Sequence, residues 1–358
     1  MDATKLREAF LWSSASYKKE QISEIVSCFN EFLKEIIIKD LFKEKNDSFV
    51  TAIDIFSFAI PSQLAYPVME KADIDTFYQL GEYLLIKKTD NGEMLNHIIY
   101  SYLNLFRLSQ FLTRIQNERR WDDLIDKLIV ESNFTFSKLF QQRVKDYQKK
   151  NLLRVLKEKR EISYTWEETD RLIKKYFLNL ISLLESIGQP DGYVSFLLEN
   201  SPEMAFFDLG CLYSGIINIM IPANSVAKHV GMILDETKSP VIIVDDEKQL
   251  AKIKTIKNDV KSLKKVILLE GTSAEEYVIA FEEFLKFAPE KEIKRNLQKE
   301  KNINVQDTAT IMYTSGTTGE PKGIVFSYHN IVYKRFCRAM AIPEIGEDDR
   351  FLCYLPLY

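Results

Sequence analysis

Cysteine and histidine are scarce in this chain of 358 residues. The four cysteines, Cys28, Cys211, Cys337 and Cys353, lie far apart without a CxxC pair, and there are three histidines. A disulfide framework or a structural zinc site needs closer and more regular spacing, so neither is expected. The sequence therefore predicts a protein of the reducing cytoplasm.

The chain also lacks a long apolar run and an excess of charge of one sign. Lys and Arg total 48 against 52 Asp and Glu, a net charge of -4, so electrostatic binding to nucleic acid is not expected. The longest apolar stretch, 205–222, is interrupted by Asp208 and Asn218 and is typical of a buried helix that leads into a strand. Residues 1–8 are too charged to begin a signal peptide. We expect no transmembrane segment.

Glycine and proline are rare in the first third of the chain. Gly81, Gly92, Pro61 and Pro67 are the only ones before Phe134. Apolar residues recur there at helical spacing, as in Ile22, Ile25, Val26, Phe29, Leu33 and Ile36, and in Trp121, Leu124, Ile125, Leu128 and Ile129. Residues 1–133 are therefore predicted to form an all-helical domain. Its role stays open, and binding of a protein partner is one alternative.

From residue 134 the pattern changes to short β-rich runs that alternate with helical stretches. Ser201-Pro202-Glu203 predicts a helix start, because serine caps, proline suits the first helical position and an acid favours the first turn. Helices also fit 225–236 and 247–258. The predicted buried parallel strands are Tyr193–Leu198, Ile216–Ile221, Val241–Val244, Val266–Leu269 and Ala309–Thr314. This alternation predicts a layered α/β domain over 134–358.

Two charged stretches allow alternative interpretations. One contains Lys248, Lys252, Lys254, Lys257, Lys261, Lys264 and Lys265, and the other spans 289–302. Either could contact a membrane surface or a partner. Acids are interspersed and no aromatic stripe accompanies the lysines, which favours a solvated helix face and a surface linker.

The last eight residues, 351–358, are uncharged and mostly apolar. Chain ends are usually polar, and an exposed apolar run favours aggregation. We therefore expect this chain to be truncated, and this fragment alone to be inactive.

One segment carries a recognisable chemical function: Tyr313-Thr314-Ser315-Gly316-Thr317-Thr318-Gly319-Glu320-Pro321-Lys322-Gly323. It lies between two apolar strands, 309–312 and 324–326. Its glycines permit positive φ and close approach to a ligand, and its hydroxyl and amide groups suit phosphate oxygens. Lys322 adds a positive charge. A Walker loop is excluded, because Gly323 rather than Ser or Thr follows the lysine.

This segment resembles the phosphate loop of the adenylate-forming superfamily, which includes acyl-CoA synthetases, adenylation domains and luciferases. Further stretches agree with the family in the same order: Ser163–Trp166, Asn200–Glu203, Gly210–Pro222 and Tyr354–Tyr358. Ile221–Ser225, Ile233-Leu234 and Val244–Leu250 most resemble long-chain fatty acyl-CoA synthetases. The resemblance implies the α/β fold of that family's N-terminal domain, incomplete here and preceded by the helical domain.

The resemblance also implies roles for the residues of the loop. Tyr313, Thr314, Ser315, Gly316, Thr317, Thr318, Gly319 and Lys322 would contact ATP, with Lys322 counted as catalytic and Thr317 or Thr318 beside Mg²⁺. The implied reaction activates a carboxylic acid, preferably a long-chain fatty acid, and transfers it to CoA. His329 lies where the family begins a helix, so a structural role is expected. The family's later motifs, which include a ribose-binding Asp and a C-terminal lysine, are absent.

Two rival functions remain open. One is an adenylation domain that loads the thiol of a carrier protein, which differs only in the acceptor. The other is a non-catalytic scaffold whose helical domain binds a partner while the nucleotide site is vestigial. The intact loop with Lys322 argues against the scaffold.

Overall fold

The structure, a computed structural model, describes residues 19–40, 69–91, 95–157, 160–288, 303–315 and 320–353. The chain divides into two compact units. The helical unit comprises residues 1–142 with 329–351, and the α/β unit comprises 143–328 with 352–358. The predicted domain boundary at residue 133 stays a prediction.

The described part of 19–147 consists of helices and loops. The helices are α1 (Lys19–Ile38), α2 (Ile74–Asn91), α3 (Asn96–Asn104), α4 (Ser109–Ile115), α5 (Arg120–Ser132) and α6 (Phe136–Tyr147), with a 3-10 turn at Leu105–Arg107. Helix α5 ends at Asn133, whose φ of 52° is left-handed, and the amide of Phe134 donates to the carbonyl of Ile129. The predicted helical character of this region is confirmed.

An aromatic cluster forms the core of the helical unit. The Trp121 ring contacts Phe106 and Phe111, each with centroids 5.6 Å apart, and all three side chains are fully buried. Phe336 completes the cluster from helix α12 (Tyr328–Ala341), 6.2 Å from Phe106 and 6.2 Å from Phe134. A helix that is distant in sequence therefore supplies part of this core.

The α/β unit is built on a sheet of seven strands in the order β7-β6-β5-β3-β4-β8-β9. Strands β3 to β8 pair in parallel along this order, and β9 is antiparallel to β8. The strands are β3 (Val194–Leu197), β4 (Asn218–Met220), β5 (Val241–Val244), β6 (Lys265–Leu268), β7 (Val278–Ala280), β8 (Thr308–Ser315) and β9 (Pro321–Ser327). The predicted α/β fold class is confirmed.

Helices lie on both faces of this sheet. They are α7 (Trp166–Ser186), α8 (Pro202–Ser214), α9 (Ala227–Thr237), α10 (Glu247–Ile256) and the short α11 (Phe281–Phe284). On one face, Leu197 and Ile242 pack with Ile233 of α9 and Ile253 of α10. On the other face, Phe196 packs against Phe207 of α8. Because neighbouring residues of β3 point to opposite sides, both faces are apolar.

A two-stranded antiparallel sheet precedes this layer. It pairs β1 (Asn151–Lys157) with β2 (Arg160–Thr165), and the alternation of strands and helices did not predict it. Thr165 then caps α7 in a capping box with Glu168, which sets the start of that helix.

The lysines of 248–265 are mostly engaged by neighbouring groups. Lys254 lies 3.6 Å from Glu275, and Lys257 lies over the ring of Tyr277. Lys252 donates to two backbone carbonyls of the loop after β4. These contacts support the interpretation of the stretch as a solvated face. Among the described helices, none combines the length and the apolarity that a membrane span requires.

Candidate nucleotide site

Strands β8 and β9 form a hairpin, and four of the residues predicted to bind nucleotide, Tyr313, Thr314, Ser315 and Lys322, lie in these strands. In the register of the hairpin Ser315 pairs with Pro321, Thr314 with Lys322 and Tyr313 with Gly323. Paired residues of an antiparallel ladder share one face of the sheet. The hairpin therefore brings the Thr314 hydroxyl and the Lys322 side chain to the same face.

The two strands of the hairpin differ in exposure. Tyr313 of β8 is buried in the apolar cluster that the sheet forms with α9 and α10. Among the described strands, β9 is an edge strand, and its Ile324 and Val325 are 48% and 58% exposed. Tyr313 thus anchors β8 in the core, while Thr314 and Lys322 are exposed and accessible to a ligand.

The side chain of Tyr313 is held by a hydrogen bond at its hydroxyl end. Its hydroxyl donates a hydrogen bond of 2.9 Å to Oε2 of Glu236, in the last turn of α9. Burial raises the pKa of Tyr313 above 10, and the hydrogen bond and negative charge of Glu236 raise it further. The hydroxyl therefore stays protonated and acts as the donor.

Close packing against Tyr313, rather than the backbone conformation, favours glycine at position 323. A Cβ added there would lie 3.0 Å from Cζ and 3.1 Å from Cε2 of Tyr313, and 3.2 Å from Cγ2 of Ile311. Gly323 does not have a positive φ, the backbone conformation that favours glycine. Gly323 therefore does not use the positive φ that glycine permits, and the Tyr313 ring takes the space of a side chain there.

The structure places some of the predicted site residues and leaves others outside the described ranges. Tyr313, Thr314 and Ser315 end β8, and Lys322 lies near the start of β9. Residues 316–319, with Gly316, Thr317, Thr318 and Gly319, lie outside the described residues, so their roles toward phosphate and Mg²⁺ stay predictions. Sequence reasoning missed Glu236, because no local pattern marks a residue 77 positions from Tyr313.

The carboxyl end of β8 lies at the edge of the sheet where the other parallel strands also end. Ligands of open α/β sheets bind at this edge. Asp245 follows β5 there, and its Oδ2 accepts a hydrogen bond of 2.6 Å from the amide of Glu199, which follows β3. Burial is the main cause that raises the pKa of Asp245 to about 6.

His329 and Cys211 lie in surroundings that suit structural roles. Nε2 of His329 lies 2.6 Å from Oδ1 of Asp126, and its ring stacks on Tyr333 within the helical unit. Cys211 is fully buried, which raises the pKa of its thiol and opposes thiolate formation. Among the residues that the structure describes, no cluster of three or more His, Cys, Asp or Glu could hold a metal ion.

Family comparison bears directly on this hairpin. A model of the AMP-binding enzyme family matches residues 140–358, which include the whole of β8, the loop and β9. The chain belongs to this family. The predicted resemblance to adenylate-forming enzymes is confirmed.

Curated relatives of the AMP-binding chain include fatty acid ligases. The chain is 32% identical over 193 residues to the long-chain-fatty-acid–CoA ligase heimdall of Drosophila melanogaster. The match covers 49% of this chain and 27% of the relative. The chain is 25% identical over 202 residues to the chloroplastic long-chain-fatty-acid–acyl-carrier-protein ligase AEE15 of Arabidopsis thaliana, covering 52% and 28%. The chain spans about a third of the length of the curated relatives it matches.

A solved structure supports the fold. The acetoacetyl-CoA synthetase of Streptomyces lividans superposes with a TM-score of 0.56 at 16% identity, over 70% of this chain and 46% of that one. At this identity the likeness establishes the shared fold.

Proposed function

We propose that the protein activates a carboxylic acid with ATP, forms an acyl-adenylate and transfers the acyl group to a thiol. A long-chain fatty acid is the proposed substrate, and CoA is the proposed acceptor. Support comes from membership of the AMP-binding family and from the likeness to long-chain-fatty-acid–CoA ligases.

The observation that carries this proposal is the β8–β9 hairpin. Its register aligns Thr314 and Lys322 on one exposed face at the carboxyl end of β8. A fixed cation beside hydroxyl groups and a glycine-rich loop suits the oxygens of a triphosphate. Tyr313, buried on the opposite face, anchors the hairpin.

In the proposed reaction a carboxylate oxygen attacks the α-phosphorus of ATP, and the bond to pyrophosphate breaks. Lys322 balances the negative charge that builds on the departing pyrophosphate, and the hairpin holds the phosphate chain in line. A thiolate then attacks the acyl carbonyl and AMP leaves. Catalysis of this kind rests on positioning and electrostatics rather than on an acid or base of the protein.

The family implies Mg²⁺, whose chemistry is to neutralise phosphate charge. The described residues offer phosphate contacts at Thr314 and Lys322 but no cluster of metal ligands. We therefore keep Thr317 and Thr318 as the proposed Mg²⁺ neighbours and assign no step to the ion.

A carrier protein is the specific alternative to CoA as the acceptor thiol. The likeness to the acyl-carrier-protein ligase AEE15 favours a phosphopantetheinyl protein as the rival to CoA. An assay that supplies each acceptor to the preformed acyl-adenylate distinguishes the two by the thioester that forms.

We further propose that residues 1–133 form an accessory domain of the enzyme. We also propose the cytoplasm as its compartment, because the four cysteines are free thiols, which suits a reducing environment.

Substitution of Lys322 tests the proposed function. In the full-length protein, Lys322→Ala should lower the rate of ATP–pyrophosphate exchange by about 10-fold or more, since a charge-assisted contact is worth about 1.4 kcal/mol or above. Exchange of labelled pyrophosphate into ATP, with a long-chain fatty acid present, measures this rate.

Lys248→Ala is the matched control, because Lys248 is an exposed lysine of the same unit in α10. It should exchange at the wild-type rate. A wild-type rate in the Lys322 variant would remove this lysine from the mechanism, and no exchange in the wild-type protein with any acid would refute the proposed function.

A further inference from the structure

We infer that Glu236 is a positioning residue for the nucleotide loop and that it acts through the hydroxyl of Tyr313. This inference rests on the proposed function and deepens it. Glu236 is an exposed residue of α9. Its one described hydrogen bond to the hairpin is the 2.9 Å contact with Tyr313.

Tyr313 is connected to both strands of the hairpin next to the loop. Its backbone is bonded directly to Thr314 and pairs with Gly323, which is bonded to Lys322. The Tyr313 ring lies against Gly323, where a Cβ would come within 3.0 Å. A shift of the ring therefore moves the residues at both roots of the loop.

The hydrogen bond to Glu236 determines where this ring lies. The ring is buried among apolar side chains, which make nondirectional contacts with it. The bond at its hydroxyl end is directional, because hydrogen bonds weaken steeply with distance and angle. With the bond intact, Thr314 and Lys322 keep the spacing that a triphosphate needs.

The stability of α9 does not explain an acid at this position. Glu236 lies in the last turn, where the helix dipole disfavours negative charge, and that turn contains no basic residue. The neighbouring acid, Asp235, is instead paired with Lys238 at 2.8 Å. Glu236 therefore occupies a helix position that is unfavourable for an acid, and there it accepts a hydrogen bond from the Tyr313 hydroxyl.

Two single variants and their combination test the inference in the full-length protein. Tyr313→Phe removes the donor and keeps the ring, and Glu236→Ala removes the acceptor. Each should raise the KM for ATP in pyrophosphate exchange by about 5-fold, with a smaller change in kcat. The double variant should match either single variant, because both remove the same bond.

Matched variants control for charge and for loss of a tyrosine hydroxyl. Glu236→Gln keeps an acceptor oxygen and should restore most of the wild-type KM. Asp235→Ala removes an acid from the same helix turn and should leave KM unchanged. Tyr83→Phe removes a tyrosine–carboxylate hydrogen bond, that with Asp40 in the helical unit, and should also leave KM unchanged.

Hydrogen exchange without ATP supplies a readout that is independent of turnover. Backbone amides of β8 and β9 next to the loop should exchange hydrogen faster in Tyr313→Phe and Glu236→Ala than in wild type.

Equal KM values for Glu236→Ala and Asp235→Ala, in an active enzyme, would overturn the inference and leave the proposed function intact. Faster amide hydrogen exchange in these variants, together with an unchanged KM for ATP, would also overturn the inference, since the contact would then be structural only. Failure of the wild-type protein to bind ATP or exchange pyrophosphate would refute the proposed function, and the inference with it.

Discussion

Asp245 shows how burial makes a single carboxyl group sensitive to pH. It accepts a hydrogen bond from the amide of Glu199, which favours its charged form, but burial outweighs this contact. The nearby carboxylates of Asp246, Glu199 and Glu270 add to the effect, so its pKa rises from 3.8 to about 6. Asp245 therefore opposes folding when it is ionised.

The sign of the pH dependence follows from this raised pKa. Between about pH 4 and pH 6 the folded protein holds a proton that the unfolded chain releases, so stability falls as pH rises through this window. Asp245→Asn should remove this loss and raise the free energy of unfolding at pH 7 by about 1 kcal/mol, after discounting for the partial exposure of the group. Urea unfolding at pH 4, 5, 6 and 7 measures it. Asp259→Asn is the control for loss of an exposed charge, and a pH-independent difference between Asp245→Asn and wild type would contradict the prediction.

Helix α8 illustrates how a cap sets an element in place. Oγ of Ser201 accepts a hydrogen bond of 3.0 Å from the amide of Met204, and Pro202 occupies the first helical position. Ser201→Ala should lower the free energy of unfolding of the α/β unit by about 1 kcal/mol, because it leaves a helix-terminal amide without its side-chain partner. Chemical denaturation followed by circular dichroism at 222 nm checks this.

Ser201→Asp keeps a side-chain acceptor at the start of the helix. Aspartate is about as favourable as serine at this position and should cost little stability. Equal losses for the alanine and aspartate variants would show that the side-chain contact is not the source of the stability.

At the scale of the whole molecule, the helical unit includes a segment, residues 329–351, that follows β9 in sequence. Phe336, buried in α12, contacts Phe106 and Phe134 of that unit. Phe336→Ala should destabilise the helical unit by about 3 to 5 kcal/mol, since a large core side chain leaves a cavity. Fluorescence of Trp121 during urea unfolding, with Trp12 and Trp166 replaced by Phe, reports on this unit.

Phe336→Leu is the graded control and should cost less than Phe336→Ala, because it keeps more of the buried volume. An unchanged unfolding curve for Phe336→Ala would mean that residues 1–142 hold their fold without this helix.

Local patterns predicted much of the α/β architecture. The strand Val241–Val244 has the predicted bounds, and the helix predicted at Pro202 begins there. The strand predicted at Ile216–Ile221 is shorter, Asn218–Met220, because buried apolar residues extend past the paired backbone. Strand β7, Val278–Ala280, was missed because three residues give no periodicity, and its pairing with β6 alone defines it.

The sequence by itself determined the class of fold and predicted a phosphate-binding loop. Runs of apolar residues predict buried strands because hydrophobicity and β-propensity are properties of the residues themselves, and the glycine, hydroxyl and lysine pattern predicts phosphate binding. Tertiary structure alone decided which distant groups support that loop. It joined Glu236 to Tyr313, set the Tyr313 ring against Gly323 and brought Phe336 into the helical core. These contacts depend on how the layers close in three dimensions, which no local spacing encodes.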